Sequence, residues 1–131
     1  GLAILPGRWQ SGLRLAAMLV LAFGTAGAIL AVESGEAGAM FVDQIGKVAE
    51  VLHEHAELAE YTRDAFIGLF CAYAAFFFGS MIVPALKKPK VSLAIQIILF
   101  LAVLAATLLV VNTGHLGGKL VHEYGVRAML D

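Results

Sequence analysis

Three long apolar stretches limit what this chain can fold into. They cover residues 14–32, 65–86 and 91–111, and Gln96 is the only strongly polar residue of the third stretch. Each stretch has about 20 residues, which at about 1.5 Å per residue crosses the roughly 30 Å of hydrocarbon in a bilayer. Helices of a soluble bundle rarely run so far without a charge. The sequence therefore predicts an all-α integral membrane bundle with three spans, forming a single domain over residues 1–131.

The composition favours the same class of protein. Apolar residues make up 60% of the chain and charged residues 15%, which is too apolar for an ordinary soluble domain. A formal net charge of -1 provides no basic surface for nucleic acid. We therefore expect the lipid bilayer as one partner. The others would be further copies of this chain or other membrane subunits of a respiratory or photosynthetic-type complex.

The distribution of charge predicts how the spans are oriented. Arg8 and Arg14 precede the first span, and the sequence KKPK at 87–90 links the second and third spans, whereas acidic residues dominate residues 33–64. Lysine and arginine are enriched in the cytoplasmic loops of membrane proteins. We therefore expect a multi-pass protein of the bacterial inner membrane, with the KKPK turn in the cytoplasm. The 33–64 segment and the C-terminus would then lie in the periplasm, on the same side as all four histidines.

Residues 41–62 have helical periodicity but are too polar to form a span. Apolar residues recur there at spacings of three, four and seven, which places on one stripe Val48, Val51, Leu52, His55 and Leu58 or Ala59. This pattern predicts an outer amphipathic helix that caps the spans. His53 lies about 200° round such a helix from His55 and projects with Glu57 and Glu60 towards a polar side. Of these two histidines, His55 is the better candidate for a buried site.

The third span runs into a second group of histidines. If the helix continues, His115 and His122 are seven residues apart and share one face, about 10 Å apart along the axis. Between them, Gly117 and Gly118 each cost a helix about 1 kcal/mol relative to alanine. Such glycines mark either the close approach of another backbone or a flat ligand, or a break in the helix. The sequence leaves both alternatives open.

The first chemical hypothesis is a haem. Facing helices of a bundle commonly hold a cofactor between their side chains, and histidine is an established axial ligand of haem iron. His55 would face His122 or His115, with the glycines leaving room for the macrocycle. Because the chain has no Cys-x-x-Cys-His sequence, the haem would be a non-covalent haem b.

The second hypothesis is a transition metal held by His53, His55, His122 and Glu50. Glu50 and His53 have the i, i+3 spacing of one half of a di-iron carboxylate site, but the chain contains no second half.

The third hypothesis is that the histidines are solvated at the membrane boundary and hold no cofactor. The sequence offers no catalytic residues, since its serines lack a nucleophile elbow.

The chain resembles a bacterial membrane family called domain of unknown function 2231. The stretches TGHLGGKLVHEYG at 113–125 and LHEHAELAE at 52–60 are similar to that family's C-terminal signature and its His-Glu-His segment. Family members usually have four spans, and the first opens with His-Pro and Phe-Pro patterns that this chain lacks. Because the chain begins GLAILPG instead, we expect a further helix upstream. The resemblance implies no established activity.

The resemblance also ranks the histidines. His53, His55 and His122 match recurring positions of the family, whereas His115 occupies a position where tyrosine also occurs. Related domains are joined to cytochrome c modules in some bacteria, which implies proximity to electron transfer. We therefore expect a membrane subunit that carries a haem b or a metal on its outer face, with His55 and His122 as the preferred axial pair. The alternative is a non-enzymatic structural subunit without a cofactor.

Overall fold

The computed structural model describes residues 7–41 and 46–123, which fold into a bundle of three long helices. Helix α1 covers Gly7–Ala39, α2 covers Lys47–Ile82 and α3 covers Pro89–His122, with a short 3-10 turn at Pro84–Lys87. The parts of the chain that the structure describes contain no strand. The predicted all-α helical bundle is therefore confirmed.

Each helix is long and apolar enough to cross a membrane. The most apolar windows have a mean hydropathy of 2.3 in α1, 2.0 in α2 and 2.8 in α3. Few residues in these windows are buried by the protein itself, and large side chains such as Phe23, 77% exposed, point outward. Lipid is the solvent in which such a surface is stable, so this is a multi-pass membrane protein.

Helix α2 lies between the other two helices and packs against both. On one side, the Thr25 hydroxyl of α1 lies 2.8 Å from the carbonyl oxygen of Leu21 and 3.2 Å from that of Phe66 in α2. On the other side, the hydroxyls of Thr62 and Thr113 join α2 to α3 at 3.1 Å. The three threonines named here lie in the two packing seams. A polar contact between membrane helices is worth about 0.6 kcal/mol or somewhat more.

The segment predicted as a separate outer helix is continuous with the second span. Helix α2 runs without interruption from Lys47 to Ile82, because residues 48–67 contain neither glycine nor proline. It ends before residue 86 because Pro84 disfavours a helical conformation at Val83, whose backbone is extended. The segment therefore lengthens the bundle instead of capping it. Its predicted stripe is confirmed, since Val51 is buried and His53 is exposed.

Helix α3 passes through Gly117 and Gly118 without a break. A Cβ atom added to Gly117 would lie 3.1 Å from Cε1 of His55, whereas one added to Gly118 would meet nothing within 4 Å. Of the alternatives left open by the sequence, the helix break is therefore wrong. The group that lies close to Gly117 is the ring of the His55 side chain, and not another backbone.

This difference between the two glycines predicts opposite outcomes for the same substitution. Gly118→Ala is expected to raise the thermal midpoint, because alanine is favoured over glycine by about 1 kcal/mol inside a helix. Gly117→Ala is expected to lose that gain, since its methyl group presses on His55. Thermal unfolding of the detergent-solubilised variants, followed by circular dichroism, measures both. Equal gains would contradict the packing of His55 on Gly117.

Candidate functional site

A groove with a volume of about 420 Å³ lies where the three helices meet. We call it the histidine groove. Its lining comprises Gly24, Gly27, Ala28, Ala31 and Val32 of α1, His55, Ala59, Thr62 and Phe66 of α2, and Val110, Thr113 and Gly114 of α3. The volume is within the range of about 300 to 1,000 Å³ that is typical of ligand and cofactor sites. The lining is also typical of such sites, being mainly apolar with a few polar groups.

The small residues of α1 keep this groove open. Small residues of this kind let the backbone of a neighbouring membrane helix approach closely. In the structure α1 instead uses Thr25 and Val32 as its buried residues, and Gly24 and Gly27 face open space. Among the described residues, no helix therefore packs onto the glycines of this face.

His55 is the predicted site residue that the structure places in the groove. Its Nδ1 atom lies 3.0 Å from the carbonyl oxygen of Thr113. Because a carbonyl oxygen only accepts, Nδ1 carries the hydrogen and donates it. In the neutral imidazole Nε2 then keeps its lone pair, and no described residue donates a hydrogen bond to it. The close packing against Gly117 holds the ring in this orientation.

Two threonine hydroxyls lie beside His55. Thr62 is 2.7 Å from the carbonyl oxygen of Leu58, and Thr113 is 2.8 Å from that of Leu109. The two hydroxyl oxygens are also 3.1 Å apart. These three contacts share two hydroxyl hydrogens, so at any moment one contact lacks a donor. Turning one hydrogen towards a group in the groove would leave a second contact without a donor, so the pair is better suited to accept a hydrogen bond from such a group than to donate one.

The other predicted site residues lie away from this groove. His53, Glu50, His115 and His122 are exposed. Helix geometry puts His122 about 140° round α3 from Gly117 and about 7.5 Å further along, and His115 about 200° round from it. The face of α3 that meets His55 thus carries Thr113 and Gly117. His122 and His115 as second axial ligands stay predictions.

A simple metal ion is not supported by the described residues. Over residues 7–41 and 46–123, no three or more histidine, cysteine, aspartate or glutamate side chains come close enough together to hold one.

Thr62 and Thr113 were not identified from the sequence as members of the site. Thr62 was within reach of sequence reasoning, since it is seven residues beyond His55 and so continues the same stripe.

Comparison with known proteins gives no guide to this groove, since no family model, curated protein or solved structure matches the chain. The resemblance to domain of unknown function 2231 stays a prediction. What the groove can do therefore follows from its lining: one oriented imidazole with a free lone pair, two hydroxyls that can accept a hydrogen bond, and an apolar wall.

The threonine pair predicts an energetic coupling between α2 and α3. A double-mutant cycle of Thr62→Val and Thr113→Val is expected to give about 0.6 kcal/mol, the average for polar contacts between membrane helices. A control cycle replaces Thr113→Val with Thr107→Val, because Thr107 is exposed and bonds only to its own helix. Unfolding in mixed micelles measures both cycles. Coupling of equal size in the two would contradict the pairing.

Proposed function

We propose that this protein is a membrane subunit that holds a non-covalent haem b in the histidine groove and takes part in electron transfer within a larger complex. The observation that supports it is the orientation of His55, whose Nδ1 atom lies 3.0 Å from the Thr113 carbonyl oxygen. Histidines that bind metals almost always donate their other ring N–H to such a group, which fixes the tautomer and the ring plane. Nε2 of His55 is then the ligand atom.

The groove lining fits a flat and largely apolar group. Glycines and alanines leave space on the α1 side, Phe66 and Val110 provide apolar walls, and the two hydroxyls provide polar contacts. Several protein classes hold haem iron through a single proximal histidine, so His55 alone is sufficient for attachment. Zinc sites, by contrast, take three or four protein ligands. When bound, haem b supplies one-electron chemistry between the ferrous and ferric states.

The proposed location is a bacterial inner membrane, with the histidine end of the bundle facing the periplasm. Support comes from the charges at the two ends. The end at Pro84–Lys87 carries lysines and arginines, and the opposite end carries most of the glutamates. By the distribution of lysine and arginine in membrane proteins, the first end is cytoplasmic. Periplasmic redox proteins would then be the partners.

The haem proposal predicts an absorption spectrum that depends on His55. Protein purified from haem-replete cells is expected to show a Soret band and a reduced-minus-oxidised difference spectrum. His55→Ala is expected to remove both, while His53→Ala, on the exposed side of the same helix, keeps them. His55→Gly with added imidazole is expected to restore the band, which separates lost ligation from lost folding. His122→Ala tests the predicted second ligand, whose loss would change the spin state of the iron.

No Soret band in the wild-type protein would contradict the proposal. Equal losses in His55→Ala and His53→Ala would contradict the role of His55.

The second candidate function is that of a structural subunit. It is favoured by the small residues Gly24, Gly27, Ala28 and Ala31, since small residues let the backbone of a neighbouring membrane helix approach closely. In this function the groove receives a helix of a neighbouring subunit. A haem and a helix would occupy the same space, so the two candidates exclude each other at this site.

Filling the groove distinguishes these candidates. Gly27→Leu is expected to lower haem content under the first function and the mass of the purified assembly under the second. The control is Ala26→Leu, because Ala26 is exposed and lies outside the groove lining. Haem is measured by pyridine haemochrome and mass by light scattering in detergent. If Gly27→Leu behaves like Ala26→Leu in both assays, the groove serves neither function.

A further inference from the structure

A second pocket lies at the opposite end of the bundle from the histidine groove, where α1 begins and α2 ends. It has a volume of about 430 Å³, and its polar lining includes Ser11, Arg14, Ser80 and Lys87. Phe77 and Met81 form an apolar part of its wall. We call it the basic pocket. What this pocket binds does not depend on the function proposed for the histidine groove, because the two sites lie at opposite ends of the bundle.

Arg14 is held in place but its charge is not neutralised. One terminal nitrogen donates to the Ser92 hydroxyl at 3.2 Å, and the guanidinium lies 5.8 Å from the centre of the Phe76 ring. Ser92 itself is buried, and it accepts a further hydrogen bond from Gln96 at 2.9 Å. The Nε atom of Arg14 is buried and has no hydrogen-bond partner among the described residues. A buried donor without a partner costs about 1 to 3 kcal/mol, and more where the group is charged.

The described residues supply no carboxylate at this end. Neither residues 7–32 nor residues 65–122 contain an aspartate or a glutamate. The single ion pair among the described residues joins Arg63 and Asp64, towards the other end of α2. Arg14 and Lys87 therefore face a common pocket with no acidic partner from residues 7–41 and 46–123. An anion that accepts hydrogen bonds from both side chains would neutralise the two charges and give Arg14 the partner that it lacks.

The position of the pocket selects the kind of anion. Trp9, 69% exposed, lies close by in the first turns of α1, and tryptophan is enriched where membranes meet water. Met81 is also exposed, so an acyl chain can lie along the apolar wall while a phosphate reaches the cations. Basic pockets between membrane helices bind the head groups of anionic lipids. We propose that the basic pocket binds an anionic phospholipid, with its phosphate between Arg14 and Lys87.

The proposal predicts a selective and residue-specific retention of lipid. The full chain is purified in mild detergent, mixed with equal amounts of phosphatidylglycerol and phosphatidylcholine, and analysed by native mass spectrometry. The wild-type protein is expected to retain phosphatidylglycerol preferentially. Lys87→Gln is expected to weaken that binding about fivefold, since a cation near an anionic lipid surface is worth about 1 kcal/mol. Arg14→Gln is expected to weaken it at least as much.

Lys88→Gln is the matched control, because it removes the same charge from the next residue, which does not line the pocket. Lys87 is exposed, so its variant tests the proposal even if Arg14→Gln fails to fold. Equal weakening by Lys87→Gln and Lys88→Gln would overturn the proposal, because attraction would then come from net charge alone. Equal retention of the two lipids would also overturn it. A third arm compares the thermal stabilisation of the protein by inorganic phosphate with that by phosphatidylglycerol. Equal stabilisation would overturn the proposal, because a free phosphate would then serve as the anion as well as the lipid does.

Discussion

In hydrocarbon no water is available to satisfy a backbone N–H or carbonyl group, and this constraint determines the rest of the structure. Each span must satisfy its own backbone as a helix before it meets another. The attraction between helices is then left to close packing and to a small number of side-chain hydrogen bonds. Here most of those bonds involve a hydroxyl group, at Thr25, Thr62, Thr113 and Ser92, and the imidazole of His55 adds another. The three threonine hydroxyls also contact a carbonyl of their own helix, so none is unsatisfied when the helices are apart.

The same constraint explains why the bundle contains a groove. Helix α2 is the common partner of α1 and α3, and its two seams use different sides of the helix. The space between α1 and α3 above α2 is therefore not filled by either seam. Bulky side chains on α1 would fill it, but Gly24, Gly27, Ala28 and Ala31 do not. The position of His55 in this space follows from helical periodicity, since it shares a stripe with Val51 and Thr62.

The sequence predicts the elements of this fold better than it predicts their partners. Length and hydropathy are local properties, so the three spans and the stripe that separates His55 from His53 are both recovered. The continuity of α2 was missed because the change from polar to apolar composition near residue 62 resembles a boundary, although no helix-breaking residue is present. The groove was missed because it depends on which side of α1 faces α2. Small residues favour close packing on one side of α1, whereas Thr25 and Val32, on another side, are the residues that α1 buries.

The short turn at Pro84–Lys87 has a consequence for assembly. It joins the end of α2 to the start of α3 so tightly that the Leu86 side chain lies over Gly79, where an added Cβ atom would be only 3.3 Å from it. Two helices tethered in this way lose little chain entropy when they pair. They are therefore suited to enter the bilayer together as a helical hairpin. Helix α1 would then dock onto a surface that already exists, and its contribution to the histidine groove would be the last part to form.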